Sequence, residues 1–156
     1  MNKQNKNICI HVCDDNPVAI EKAIKITKDL LNEEGLAAEI ITYEDGNQFT
    51  ERYKERKDEL LILDIDMPGK SGLDILKEFE IHCKNNRVIL LTAYDNLALQ
   101  SLMYGPFQIV RKDLMEIDLE KAIRRFLRIR NEQNAQLEIK EDGMQRVVDI
   151  KDIFSI

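Results

Sequence analysis

Apolar residues in this chain come in two rhythms that alternate. Short continuous runs (Asn7–Cys13, Glu39–Tyr43, Leu60–Leu63, Val88–Leu91 and Phe107–Val110) predict buried strands, because only a sheet covered on both faces hides every side chain of a strand. Between them the spacing lengthens to helical. Ile20, Ala23, Ile24, Thr27 and Leu31 share one stripe, entered through Asp15-Asn16-Pro17 and ending near Gly35. Phe49 and Tyr53 mark a shorter helix entered through Asp45-Gly46, and Leu73, Leu76, Phe79 and Cys83 a third. A fourth runs from about Leu97 to Met103 and stops at Gly105-Pro106, and Leu119, Ala122, Ile123, Phe126 and Leu127 define the last. Strands alternating with helices mean repeated crossover units. The predicted fold is α/β, a doubly wound five-stranded parallel sheet.

Beyond about Asn131 the rhythm changes. Asn131–Gln136 is amide-rich and reads as a linker or a fraying helix end. Leu137–Lys140 alternates apolar and polar, Glu141-Asp142-Gly143 is a turn signal, and Arg146–Ile150 and Ile153–Ile156 read as further strands. So short a β piece cannot bury a core by itself. The expected division is therefore 1–130 as one domain and 131–156 as a linker with the front of another.

Composition narrows the chemistry. With 156 residues, 44% hydrophobic and 33% charged, and a net charge of −6, the chain is of ordinary globular make-up and lacks the basic excess of a nucleic-acid binder. No run approaches the ~18 apolar residues of a membrane span. No signal-peptide core follows the N-terminus, so a cytoplasmic location is expected. Cys9 and Cys13 would lie about 13 Å apart on one strand face, beyond disulfide reach, and Cys83 stands alone. All three are expected to be buried reduced thiols. His11 falls in mid-strand and is expected to be structural. The arginines at 124, 125, 128 and 130 read as a solvated helix end. Lys70-Ser71-Gly72 lacks the glycine-rich cradle of a P-loop.

The polar residues at strand ends carry the chemistry. The first strand ends in Asp14-Asp15, the third in Asp64, the fourth in Thr92 and the fifth in Lys112. In a doubly wound sheet these tips converge at the carboxyl edge, where ligands bind. Carboxylates about 5 Å apart repel by roughly 3 kcal/mol per pair at an effective dielectric of 20. The cluster therefore calls for protonation or for a hard cation such as Mg²⁺. Beside such a cation one carboxylate can attack a phosphoryl group to form an acyl phosphate, with an ammonium and a hydroxyl to receive the phosphoryl oxygens.

Four segments in order, CDDNP (13–17), LILDIDMPGKSG (61–72), LLTAYD (90–95) and PFQIVRKD (106–113), resemble the CheY-like receiver domain of two-component response regulators over about residues 6–130. The resemblance implies a flavodoxin-like strand order, 2-1-3-4-5. It also implies Asp64 as the phospho-acceptor and Mg²⁺ held by Asp14, Asp15, Asp64 and the backbone carbonyl of Asp66. Thr92 and Lys112 then bind the phosphoryl group, and a sensor histidine kinase donates it. Asp66 and Tyr94 occupy the positions that tune acyl-phosphate lifetime. Ile109 replaces the switch aromatic, so an aromatic swing is not available here. A homodimer through the strand 4, strand 5 and last-helix face is a further expectation. The tail, LEIKEDGMQRVVDIKDIFSI, resembles the first strands of an LytTR-type DNA-binding domain. That implies a transcriptional output whose DNA contacts lie beyond this stretch. A phosphohydrolase of the haloacid-dehalogenase type, using Asp64 and Asp66, is the enzymatic alternative. It is disfavoured because its DxD follows the first strand and needs late acidic ligands. A receiver that acts unphosphorylated as a binding module is the other alternative.

Overall fold

The computed structural model describes residues 7–145. Five strands, β1 (Ile8–Cys13), β2 (Ala38–Tyr43), β3 (Glu59–Asp64), β4 (Val88–Thr92) and β5 (Gln108–Arg111), form one parallel sheet in the order β2-β1-β3-β4-β5. The connecting helices are α1 (Pro17–Glu33), α2 (Gly46–Arg52), α3 (Gly72–Ile81) and α4 (Asp95–Leu102), with α5 (Met115–Gln145) last. Both the fold class and the strand order match the sequence expectation.

The three central strands β1, β3 and β4 are buried at every position, which explains their unbroken apolar runs. Alternation sorts their side chains by face. Cys13, Leu61, Leu63, Val88 and Leu90 join Tyr43, Phe49, Ile75, Leu76 and Phe79 in one cluster. Ile8, Ile10, Val12, Leu60, Ile62, Ile89 and Leu91 point the other way. That second face calls for a cover, which the buried stripe of α1 (Ala19, Ala23, Thr27, Leu30, Leu31) and the first turns of α5 (Leu119, Ala122, Ile123) supply.

The helix starts follow local chemistry. Asn16 accepts the Val18 N–H ahead of Pro17, Asp45 accepts the Gln48 N–H, and Ser71 and Asp74 close a reciprocal capping box on α3. Ser71 is thus a cap, in keeping with the absence of a P-loop. Two glycines let backbones meet. A Cβ on Gly46 would lie 1.6 Å from the Lys70 carbonyl oxygen, and one on Gly72 would lie 2.2 Å from that of Asp64. The loop after β3 therefore rests directly on the start of α2.

Two expectations need correction. Cys83 is exposed, not buried. α3 ends at Ile81, where Cys83 takes a left-handed φ of 57° and the Lys84 N–H reaches back to the Phe79 carbonyl at 2.8 Å, so the residue falls past the helix instead of on its inner stripe. Leu137–Lys140 and the expected turn at Glu141-Asp142-Gly143 are helical, as part of α5. Leu137 and Ile139 are 55% and 71% exposed, so the alternation buries nothing. A helix satisfies its backbone within the segment, and Gln, Leu, Glu and Lys favour it. The strands expected at Arg146–Ile150 and Ile153–Ile156 lie outside the described residues. The chain divides into two compact units, the first ending at Ile123 and the second beginning at Arg124.

Candidate functional site

Register alone brings the strand tips together. Cys13 pairs with Leu63, Asp64 with Leu91, and Thr92 with Arg111. Asp14, Asp64, Thr92 and Lys112 therefore lie within one residue of a common line across the carboxyl edge.

The side chains converge as well. One oxygen from each of Asp14, Asp15 and Asp64 lies within 4.8 Å of the other two. Lys112 Nζ sits 2.9 Å from Asp14 Oδ2 and 3.2 Å from Asp64 Oδ2. Asp14 and Asp64 are buried, while Asp15 is exposed. Asp14 Oδ1 accepts the Asn16 N–H at 2.9 Å. Asp14 Oδ2 is buried and faces the ammonium as an ion pair, but it accepts no aligned hydrogen bond.

Charge crowding sets the protonation. Burial, and then the Asp14 charge, push the Asp64 carboxyl up to about 7 against the pull of Lys112. Burial would lower the Lys112 ammonium, but Asp14 and Asp64 outweigh it and hold the group above its usual range. One ammonium thus serves two buried carboxylates with a third beside them. The three clustered oxygens, all hard, and the under-bonded Asp14 Oδ2 make a donor set that fits a small divalent cation.

The remaining predicted residues sit around this centre. Thr92 is buried at the end of β4, but its hydroxyl bonds the Tyr94 backbone, donating to the carbonyl and accepting from the N–H at 2.9 Å each. Asp66 is exposed, and its N–H lies 3.4 Å from Asp64 Oδ1. The Tyr94 side chain is 54% exposed. Ile109 is half-buried against the apolar cluster under α3.

Sequence reasoning passed over two features. Cys13 lies below the acidic tips, its Sγ 3.5 Å from Met67 Sδ and 3.4 Å from the Asp45 carbonyl. Burial, then the neighbouring carboxylates, push this thiol up to about 12, so it is a packed, unreactive floor. The second is a polar hub under α2. His11 is fully buried, with Nδ1 2.8 Å from the Tyr43 hydroxyl and Nε2 3.2 Å from Glu59 Oε1. Glu59 also receives the Tyr53 hydroxyl, the Arg56 N–H and Arg87. Burial would raise this carboxyl, but hydrogen bonds from His11, Tyr53, Arg56 and Arg87 hold it below the usual carboxylate range. His11 is structural, as expected. A histidine inside one apolar strand and an acid opening another were the legible signal, since buried polar groups need partners.

The comparisons agree with this fold. The family description "Response regulator receiver domain" matches residues 10–124. Sporulation initiation phosphotransferase F of Bacillus subtilis (strain 168) is 32% identical over 80 residues, covering 50% of this chain and 64% of that protein. The sensory transduction protein LytT of the same organism is 24% identical over 153 residues, 92% of this chain and 62% of LytT. The chain thus spans less than two thirds of the length of either relative. Among solved structures, response regulator TrrA of Thermotoga maritima, in complex with Mg²⁺-BeF, superposes with a TM-score of 0.57 at 32% identity, covering 75% of this chain and 96% of that one. With its sheet order, its strand-tip residues and a family match over most of its length, the chain belongs to the response regulator receiver family.

Proposed function

We propose that Asp64 is the phospho-acceptor of a two-component switch. The observation that carries this reading is the Lys112 ammonium set between the buried carboxylates of Asp14 and Asp64, with Asp15 completing the acidic cluster. A carboxylate oxygen of Asp64 attacks the phosphorus of a phosphohistidine on a sensor histidine kinase. The P–N bond breaks, its electron pair stays on the imidazole, which takes up a proton, and Asp64 becomes an acyl phosphate. Lys112 and the Thr92 hydroxyl receive the phosphoryl oxygens. Asp14, Asp15, Asp64 and the Asp66 carbonyl are the ligands for Mg²⁺, which supplies positive charge against the phosphoryl oxygens. Asp66 and Tyr94, exposed on either side, set water access to the acyl phosphate and hence its lifetime.

Phosphorylation changes the surface of β4, β5 and the last helix, which is the proposed homodimer face. The protein works in the cytoplasm, and no helix among the described residues is long and apolar enough to cross a membrane. The output we propose is an LytTR-type transcriptional domain, supported by a similarity to LytT that runs over 92% of the chain.

Intact-mass measurement after incubation with Mg²⁺ and acetyl phosphate tests the reading. A receiver gains one hydroxylamine-labile phosphoryl group, and Asp64→Ala gains none. Turnover of many equivalents of a phosphate monoester would instead mark a hydrolase and overturn the proposal.

A further inference from the structure

A groove of about 280 Å³ opens between α2 and α3 and shares no residue with the acidic cluster. Its wall is aromatic. Phe49 of α2 and Tyr53 at the end of that helix stack with ring centroids 4.7 Å apart, and the Phe79 ring of α3 lies 5.6 Å from that of Tyr53. The Tyr53 hydroxyl is engaged by Glu59 and the Thr50 hydroxyl by the Gly46 carbonyl. A ligand in the groove therefore meets the rings and not these hydroxyl groups.

The rim is cationic. Lys70, on the loop after β3, and Lys84, past the end of α3, reach it with side chains 25% and 29% exposed, and His82 also lines it. Glu78 is the acid of the lining, and it already pairs with Lys70. Two ammonium groups against one carboxylate leave one positive charge over the lining, in a chain whose net charge is −6. Lys84 is placed to use that charge. Its partner Glu55 lies outside the lining and has a second cation in Arg87, 3.8 Å away. Lys84 can turn into the groove without stranding a carboxylate. A half-buried ammonium beside aromatic rings also attracts an anion more strongly than one in open water, because the local dielectric is lower.

We propose that this groove binds a small carboxylate built on one aromatic ring, with the ring against Phe49, Tyr53 and Phe79 and the carboxylate on Lys84. Size sets the class. Small-molecule sites usually span about 300–1,000 Å³, so a groove at the bottom of that range takes one ring and not two. Charge sets the rest. One surplus positive charge suits a monoanion, whereas a simple phosphate ester brings more charge and leaves the aromatic wall uncovered. The site does not depend on Asp64 being the phospho-acceptor.

Titration of phenylacetate into the ¹⁵N-labelled full chain, followed by amide shifts, tests the site. At ordinary affinity per atom a ligand of about ten non-hydrogen atoms should bind with a Kd on the order of a few mM. The shifts should saturate and centre on Phe49, Thr50, Tyr53, Phe79 and His82. Phenylacetamide, which keeps the ring without the charge, and acetate, which keeps the charge without the ring, should each bind about tenfold more weakly. Lys84→Gln should weaken phenylacetate by about the same factor, and Lys84→Arg should restore it. No saturable shift, equal binding of phenylacetamide, or undiminished binding to Lys84→Gln overturns the proposal. Shifts centred on Asp14 and Lys112 also overturn it, because the carboxylate would then have chosen the other ammonium. A blocked Asp-Phe dipeptide that binds about tenfold tighter than phenylacetate would assign the groove to a protein segment, the added contacts being those of a peptide. Groove shifts that grow with protein concentration alone would assign it to a second copy of this chain. Either result overturns the small-ligand reading. Should Lys84→Gln fail to fold, phenylacetate against phenylacetamide on the parent decides.

Discussion

Asp64 pays an electrostatic penalty that Lys112 only partly offsets, and this has a consequence for stability. In the folded chain its proton is held up to about pH 7, against an ordinary value of 3.8. Between those values the native state binds more protons than the unfolded chain, so this residue makes stability fall as pH rises. Glu59 acts in the opposite direction and lower down. Its carboxyl is held below 4.5, so its stabilisation is present above that value and is lost as pH falls through the folded value. Lys112, raised above 10.5, keeps its contribution throughout this window and loses it only in stronger alkali. Urea midpoints measured without magnesium should therefore decline from about pH 5 to pH 7. Asp64→Asn should flatten that decline and gain on the order of 4 kcal/mol at pH 7.5, at about 1.4 kcal/mol per pKa unit. A parent whose midpoint rises across the same range would contradict the assignment.

At the scale of elements, the contact between the β3–α3 loop and the start of α2 governs how firmly the acidic tips are held. Gly46 and Lys70 meet backbone to backbone, leaving no room for a methyl group. Gly46→Ala should cost about 2–3 kcal/mol, because neither side of the contact is a flexible side chain that can step aside. Gly35 is a useful contrast. It sits past the end of α1 with φ at 65° and nothing within 4 Å of an added Cβ, so Gly35→Ala should cost about 1 kcal/mol from backbone conformation alone. Thermal unfolding of the two variants side by side checks the ranking, and equal losses would mean that the loop yields more easily than its packing indicates.

The whole molecule joins a saturated sheet to a polar helical extension, and that difference decided what the sequence disclosed. Residues 131–140 are exposed throughout. A chain ending at Arg130 should gain its phosphoryl from acetyl phosphate at the rate of the full chain within about twofold, surface changes usually being small in effect. A large drop would place a functional contact in the extension. The strand tips Asp14, Asp64, Thr92 and Lys112 were legible because each is fixed by its own strand and parallel register does the rest. Leu137–Lys140 misled because alternation predicts a strand only where one face has something to bury. The hub around Glu59 stayed hidden for another reason. Its histidine lies 48 residues away in sequence, so their complementarity appears only once β1 and β3 are paired.

That hub and the acidic tips belong to the same sheet, yet neutral drift should treat them differently. Glu59 has four donors drawn from β1, the end of α2, the loop after it and the turn before β4, so losing one leaves three in place. Asp14 Oδ2 has no such reserve. Over many generations the first arrangement can exchange partners one at a time without the fold giving way, whereas the second offers no intermediate that still holds its charge.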